Sequence, residues 1–228
     1  MKHSGRATKA AFKLILISLI TVGVILAIGV IAVIAGTLVL SFAWVLIALW
    51  IFFALFTLYF FRDPTARVPT GANLVLSPGH GKVDVIDTTT EPLFMGGECQ
   101  RISIFLSVID IHVQNAPVSG KVSFFKYSVG QFLSALKTEC ATCNENVLLG
   151  FEASEPPGAK VGVRLLAGVL ARRIVPFVQL GDEVARGDRI SLIQFGSRAE
   201  VYLPRNAKIK VKLNDHVVGG ETVLAIFE

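Results

Sequence analysis

Charged residues are absent from a long stretch near the N-terminus, between Leu14 and Phe61. A stretch with no polar face excludes the surface helix of a soluble protein, which keeps charges on one side. It is also far longer than the apolar core of about 7–15 residues in a cleaved signal peptide. Since one membrane span needs about 20 residues, residues 14–61 predict a membrane anchor of two transmembrane helices with a turn near Gly36 and Thr37. One long tilted helix, or one span followed by a re-entrant segment, would fit the same composition.

Basic residues stand on both sides of this apolar stretch, and the chain has a net charge of +5. They are Lys2, Arg6, Lys9 and Lys13 before it, and Arg62 and Arg67 after it. Basic flanks favour the cytoplasmic side, so we expect a basic cytoplasmic N-terminus over residues 1–13 and a catalytic domain that faces the cytoplasm from the cell membrane. The flanks also favour anionic membrane lipid as a partner. The sequence lacks the basic and aromatic motifs of nucleic-acid binding, which excludes that class of partner.

Cysteine is scarce, with three residues in the chain: Cys99, Cys140 and Cys143. An odd number in a domain that faces the cytoplasm excludes a disulfide framework. Cys140 and Cys143 have the spacing of a redox or metal pair, but no second pair or nearby histidine completes a zinc site. We therefore expect ordinary reduced cysteines and no metal.

After a short linker marked by Pro64 and Pro69, the sequence from Asn73 onward has the pattern of a β domain, with short apolar runs separated by Gly, Pro and Asp. The predicted strands are 82–86, 101–107, 118–127, 147–151, 162–169, 190–194, 207–213 and 222–227. Two segments, 181–190 and 214–223, repeat one rhythm of turn and apolar residues that resembles the hammerhead turns of small biotinyl- and lipoyl-type domains. The sequence thus predicts a mainly β (α+β) catalytic domain over residues 62–228, a compact sandwich or barrel-like fold with hammerhead-type turns.

The segment QFGSR at 194–198 has a pattern that permits unusual chemistry. Gly196 lets another group approach its carbonyl closely, and the Ser197 hydroxyl lies within reach of that carbonyl. With a base and a strained geometry, the hydroxyl can attack the preceding peptide carbonyl. The resulting ester can eliminate and hydrolyse to leave a pyruvoyl group on a new N-terminus. A glycine-serine turn beside a surface arginine is the plainer interpretation of the same residues.

Seven segments in order resemble those of the short, membrane-anchored phosphatidylserine decarboxylase proenzymes. They are RDP at 62–64, SPGHGKV at 77–83, IFLSVIDIH at 104–112, APVSG at 116–120, NE at 144–145, AGVLARRI at 167–174 and FGSR at 195–198. Any one of these segments alone would be weak evidence for the family, but all seven in the same order are specific evidence for it.

The resemblance implies that the proenzyme cuts itself between Gly196 and Ser197 into chains 1–196 and 197–228, which stay together as a heterodimer. It implies that Ser197 becomes a covalent pyruvoyl cofactor, which forms a Schiff base with the amine of phosphatidylserine. Carbon dioxide then leaves, and phosphatidylethanolamine is released as part of phospholipid biosynthesis.

Histidines at two positions have implied roles in this chemistry. His112 matches the active-site histidine of the family and can move protons near neutral pH. His80 stands where the family pattern, SPADG, has the aspartate of an Asp-His-Ser self-cleavage triad. A neutral imidazole carries no negative charge, so processing would be slower, would use His80 as a base, or would fail.

Three arginines are candidate ligands for the lipid phosphate or the substrate carboxylate: Arg172, Arg173 and Arg198. Each could equally be a solvated surface residue. The substitution at position 80 also leaves open an alternative function, that of an unprocessed, non-catalytic membrane-anchored β-sandwich that binds lipid or a protein partner.

Overall fold

The computed structural model describes residues 6–132, 143–168, 173–193 and 197–228. The chain divides into two units, Met1–Thr57 and Leu58–Glu228. The first unit is helical, and the second is a β domain that also includes the last residues of the helix.

The first unit consists of helix α1, Arg6–Phe60, which continues into the β domain. From Phe12 to Phe60 it is long and apolar enough to cross a membrane. Its apolar side chains are exposed on every side of the helix, as expected of a segment whose surroundings are lipid. An apolar helix near the N-terminus thus supports membrane anchoring.

The predicted helical hairpin is wrong, because α1 runs without interruption through Gly36 and Thr37. No proline breaks this region, and one glycine inside a helix costs only about 1 kcal/mol. The Thr37 hydroxyl donates a hydrogen bond to the Ile34 carbonyl at 2.8 Å, so the helix itself satisfies the polar group that suggested a turn. The alternative of one long helix is the one observed.

The second unit is mainly β, which confirms the predicted class. Its strands are β1 Leu74–Leu76, β2 Gly81–Glu91, β3 Gly97–Leu106, β4 Val113–Asn115, β5 Gly120–Ser128, β6 Asn146–Ala153, β7 Lys160–Ala167, β8 Ile174–Pro176, β9 Glu183–Val184, β10 Arg189–Ile193, β11 Ser197–Leu203, β12 Lys208–Ile209, β13 His216–Val217 and β14 Val223–Ile226.

Eight strands form one curled, half-barrel sheet in the order β13-β2-β3-β11-β7-β6-β5-β9. Two small sheets accompany it, β1-β14-β12 and β4-β10-β8. Strand β11 lies in the middle of the large sheet, antiparallel to both β3 and β7, and all seven of its residues are buried. The domain core therefore surrounds the strand that begins at Ser197.

The strands that the structure describes fall into two sets with the same chain order and the same pairing. One set is β1–β3 with β11–β14, and the other is β4–β10; each contributes four neighbouring strands to the large sheet and one small sheet. The segments SPGHGKV (77–83) and APVSGKV (116–122) are equivalent in the two sets. Their glycines, Gly81 and Gly120, both have φ +155°, and a side chain at either would collide with a backbone carbonyl of the facing strand.

This duplication explains the repeated turns noted in the sequence. Gly181 and Asn214 both have positive φ, and the following residues, Asp182 and Asp215, each accept a hydrogen bond from a backbone N–H three residues earlier. The second set is inserted into the first, between β3 and β11. Residues 194–196 lie outside the described residues, and they join the end of the inserted set to Ser197.

Candidate active site

Ser197 is the first residue of the central strand β11. Its neighbours in the sheet are Leu106, the last residue of β3, and Ala167, the last residue of β7. The side chain is completely buried. A bulky apolar environment on both sides keeps bulk water away from the hydroxyl.

The Ser197 hydroxyl lacks a hydrogen-bond partner among residues 6–132, 143–168, 173–193 and 197–228. A buried hydroxyl without a partner costs about 1–3 kcal/mol, and native proteins satisfy most such groups. Ser191 on β10 is also buried without a hydrogen-bond partner among the described residues. What distinguishes Ser197 is its place at the start of the central strand, directly after Gly196 in the sequence. A hydroxyl in this place, without a hydrogen bond to another described residue, is compatible with the self-cleavage that the sequence predicts.

Asn144 and Glu145 fix the strand beside Ser197. The Asn144 side chain, which is buried, donates to the Ala167 carbonyl at 2.7 Å. The Ala167 N–H donates to the Glu145 carbonyl at 2.9 Å. These two bonds hold residues 144 and 145 to the end of β7, which pairs with the start of β11, a role that the sequence pattern did not provide.

His112 lies in the loop between β3 and β4 and is almost fully buried. Its backbone carbonyl accepts a hydrogen bond from the N–H of Ile193 at 3.0 Å, the last described residue before Ser197. Its Nδ1 lies 2.9 Å from the Asp110 carbonyl. Since a carbonyl can only accept, Nδ1 carries the proton in the neutral ring, and Nε2 is the basic nitrogen.

The ring of Phe60 covers the His112 imidazole, with centroids 4.3 Å apart and planes inclined by 32°. Phe60 is itself completely buried. Burial lowers the pKa of His112 to about 4, against the opposing effects of the bond to the Asp110 carbonyl and the Asp110 charge. The imidazole is therefore a neutral base throughout the physiological range.

His80 belongs to the loop 77–80 between β1 and β2, which lies near the His112 loop and the first residues of β11. The Pro78 carbonyl accepts the N–H of Asn115, three residues after His112. A side chain at Gly79 would meet Leu106, the neighbour of Ser197 on β3, and Ala199, two residues after Ser197 on β11. Burial lowers the pKa of His80, and the charges of Asp110 and Glu221 oppose this effect. The fold thus brings the loop carrying His80 to the His112 loop and to the start of β11.

Arg198 has a different environment from the one expected of a lipid ligand. Its guanidinium is buried, forms two hydrogen bonds of 2.6 and 2.7 Å with the Asp84 carboxylate, and donates to Ser103 Oγ at 2.6 Å. This favours a structural role, in which Arg198 fixes β11 directly after Ser197.

Of the other predicted site residues, Arg173 is exposed. Gly196 and Arg172 lie outside the described residues.

One residue of the site was not identified from the sequence. Phe60 lies near the end of a uniform apolar run, and nothing in that run distinguishes it. Asp110 lies two residues before His112, where the sequence leaves open whether it orients His112 or faces solvent. The structure shows its carbonyl beside His112 Nδ1 and its carboxylate beside His216, a partner that is distant in sequence.

Comparisons with known proteins show the family of this chain. The family model for phosphatidylserine decarboxylase matches residues 53–225. The phosphatidylserine decarboxylase proenzyme of Desulfotalea psychrophila is 42% identical over 169 residues, 74% of this chain and 78% of the relative. That of Symbiobacterium thermophilum is 41% identical over the same shares, and that of Gluconobacter oxydans is 43% identical over 75% of this chain and 76% of the relative. The chain therefore belongs to the phosphatidylserine decarboxylase family.

Proposed function

We propose that this protein is a membrane-anchored phosphatidylserine decarboxylase, which converts phosphatidylserine to phosphatidylethanolamine after cutting itself between Gly196 and Ser197. One observation carries the proposal: the buried, unpartnered hydroxyl of Ser197 at the start of the central strand. Family membership supports the substrate and the reaction.

The self-cleavage uses groups that belong to the chain. His112 Nε2 accepts the proton of Ser197 Oγ, and the oxygen attacks the Gly196 carbonyl carbon. The peptide C–N bond breaks as the C–O bond of an ester forms, and the proton passes to the released amine. Elimination then leaves residue 196 with a free carboxylate, and hydrolysis of the remaining enamine releases ammonia and converts residue 197 to a pyruvoyl group.

The pyruvoyl group supplies an electron-withdrawing carbonyl that accepts the electrons left when carbon dioxide departs. The chain contributes the surroundings. β3 and β7 exclude water from residue 197, and the Arg198–Asp84 pair fixes the strand behind it. His112 provides a neutral imidazole that can hold a proton for return to the product.

The location of the site suits a lipid substrate. Phe60 ends helix α1 and also covers His112, so the apolar segment reaches the loop that carries the base. We propose that α1 holds the protein in the cell membrane, with the catalytic domain on the cytoplasmic side. Because α1 is one helix and not a hairpin, this proposal rests on the basic residues that follow the helix, Arg62 and Arg67, and does not extend to residues 1–13.

Ser197→Ala tests the proposal. The variant should stay whole, whereas the native chain should yield a fragment of residues 197–228, because alanine has no nucleophilic oxygen. Intact-mass measurement of the purified protein follows both chains and detects the mass of the pyruvoyl terminus. A normal small fragment from the variant would rule out this chemistry.

Ser191→Ala is the matched control. Ser191 is a second buried serine whose hydroxyl lacks a partner among the described residues, and it lies on β10, close to the junction in sequence. Its replacement should leave cleavage intact. Loss of cleavage in both variants would mean that the assay reports packing near the junction and not the nucleophile.

A second function remains a candidate because His80 replaces the acidic residue of the family pattern. Without a supporting charge the chain would stay whole and act as a lipid- or protein-binding domain. A native protein that remains a single chain of full mass, and that releases no carbon dioxide from phosphatidylserine vesicles, would favour this alternative.

A further inference from the structure

Three of the four histidines in the chain interact with a single carboxylate, Asp110. The Asp110 carbonyl bonds to His112 Nδ1, and its carboxylate Oδ1 lies 3.2 Å from His216 Nε2. Its charge also acts on His80. The three histidines come from separate parts of the sequence, so this grouping is a product of the fold. Among the residues that the structure describes, they form no metal-binding cluster.

The Asp110 side chain is held in one position. Oδ2 accepts hydrogen bonds from the Ser107 N–H at 2.8 Å and from the Ser107 hydroxyl at 2.7 Å, while Oδ1 faces His216. Only 13% of the side chain is exposed. A carboxylate with three partners in a partly buried loop is fixed as firmly as a catalytic group needs to be.

Asp110 acts on His112 in two ways. Its carbonyl fixes the tautomer, with the proton on Nδ1 and the basic nitrogen at Nε2. Its carboxylate favours the protonated ring, in opposition to burial and to the positive charge of Arg62. The same charge acts in the same direction on His80. The carboxylate therefore supports both imidazoles near the junction.

We propose that Asp110 is a positioning residue for self-cleavage, and that it supplies the negative charge which the family pattern has at position 80. This inference rests on the proposed function. When Ser197 Oγ gives its proton to His112 Nε2, the imidazolium acquires a positive charge in a buried site. The negative charge of the Asp110 carboxylate stabilises that positive charge, while the proton stays on the imidazole.

Asp84 does not fill this role, although it is the nearest acidic residue after position 80 in the sequence. Its two oxygens bind the Arg198 guanidinium on β11. The loop that contains His112 therefore carries its own acid, while Asp84 neutralises a buried arginine.

The test measures the rate at which the fragment of residues 197–228 appears, with the full chain made by cell-free synthesis in the presence of lipid vesicles. Asp110→Asn keeps the shape and the backbone carbonyl but removes the charge, and should slow cleavage about 10–100-fold. Removing the carboxylate charge from the serine-protease triad lowers kcat about 10⁴-fold, and we expect a smaller effect here because the Asp110 carboxylate does not bond to the His112 ring directly.

Asp188→Asn is the matched control, because Asp188 also accepts a hydrogen bond from a backbone N–H three residues earlier but lies in the inserted set of strands. It should cleave at the native rate.

A double-mutant cycle separates charge from packing. If Asp110 replaces the acid of position 80, His80→Asp should accelerate cleavage at least about tenfold more in the Asp110→Asn background than in the native chain. A loss of loop structure would not be rescued by a carboxylate on a different loop.

Each outcome decides the proposal. Cleavage of Asp110→Asn within threefold of the native rate would overturn it, and so would an equal effect of His80→Asp in both backgrounds. If Asp110→Asn does not fold, Ser107→Ala removes one bond to the carboxylate and should slow cleavage about threefold to tenfold; a native rate there would also overturn it. A native chain that stays whole would instead refute the proposed function itself.

Discussion

At the scale of single residues, the central feature is a histidine that the fold keeps neutral. The His112 ring is buried beneath Phe60, so the protonated ring would lose its hydration, and this loss outweighs the favourable effect of the Asp110 charge. Such a base is weaker than a histidine in water, but it is unprotonated at every physiological pH. The fraction of His112 in its neutral, proton-accepting form is therefore nearly constant across the physiological pH range.

The lowered pKa of His112 predicts a loss of stability in acid. Above pH 6.5 the ring is neutral in both the folded and the unfolded chain and contributes nothing. Between pH 6.5 and pH 4 the unfolded chain binds a proton that the folded chain does not, so the free energy of unfolding should fall by up to about 3 kcal/mol. Urea unfolding in detergent at pH 7 and pH 4.5 measures this change.

His112→Asn is the comparison for that experiment. Asparagine can donate to the Asp110 carbonyl but does not titrate, so the variant should lose less stability over the same pH interval. Equal losses in the two proteins would show that other groups cause the acid effect.

Some residues could be predicted from the sequence and others could not, for physical reasons. Ser197 and His112 lie within short local patterns, and the structure places both in the core, Ser197 at the start of β11 and His112 in the loop between β3 and β4. The contacts of Asn144 and Phe60, and the contact of Asp110 with His216, depend on residues that the chain brings from far away. Local spacing contains no information about such partners.

At the scale of elements, the central strand β11 is the longest of the described strands that the sequence did not predict. Its sequence, SRAEVYL, places Arg198 and Glu200 among apolar residues, a pattern typical of an exposed loop. Asp84 and Ser103 satisfy Arg198, and Tyr202 donates to Glu200 at 2.6 Å. Buried charges were possible here because neighbouring strands supply their partners, which composition does not reveal.

The end of helix α1 is in contact with the loop 107–112, which carries His112. Arg62 donates to the Ile109 carbonyl at 2.6 Å and to the Tyr59 carbonyl at 2.8 Å, and its guanidinium lies 4.0 Å from the centre of the Tyr59 ring. With Phe60 on His112, these contacts fix the loop from one side. The terminal residues of the helix therefore shape the active site.

Phe60→Ala should slow self-cleavage about tenfold, because the His112 ring would gain rotational freedom and contact with water. The large cavity would also cost about 3–5 kcal/mol of stability. The rate of fragment release measures the first effect, and thermal unfolding measures the second.

Phe52→Ala is the matched control, since Phe52 is an exposed phenylalanine of the same helix. It should cleave at the native rate. A slowed Phe52→Ala variant would mean that insertion of the helix, and not the cover over His112, controls cleavage.

At the scale of the whole molecule, the proposed cut does not separate two independent parts. The fragment of residues 197–228 contains β11, which is paired on both edges, and also β12–β14. β14 is paired with β1 of the large chain, and β13 with β2. Removal of the fragment would open the middle of the large sheet and expose its core.

We therefore expect the two cleaved chains to stay together under native conditions. Size-exclusion chromatography in detergent should give one peak that contains both chains, and native mass spectrometry should give the sum of their masses. They should separate only in denaturant, together with the loss of β structure. A small chain that elutes alone without denaturant would contradict this expectation.

The proposed cleavage position lies at a boundary between the two equivalent strand sets, which relates it to the evolution of the fold. An ancestral module of seven strands that was copied and inserted into itself would have two seams, one where the copy enters after β3 and one where it leaves after β10. The first seam leads into the loop of His112, and the second is the Gly196–Ser197 junction. Each seam would have been free of strand pairing within the module, and so could acquire chemistry without loss of the module. On this view the proposed base and the proposed nucleophile lie at the two junctions between the duplicated sets, and the proposed cleavage would reopen one of these junctions.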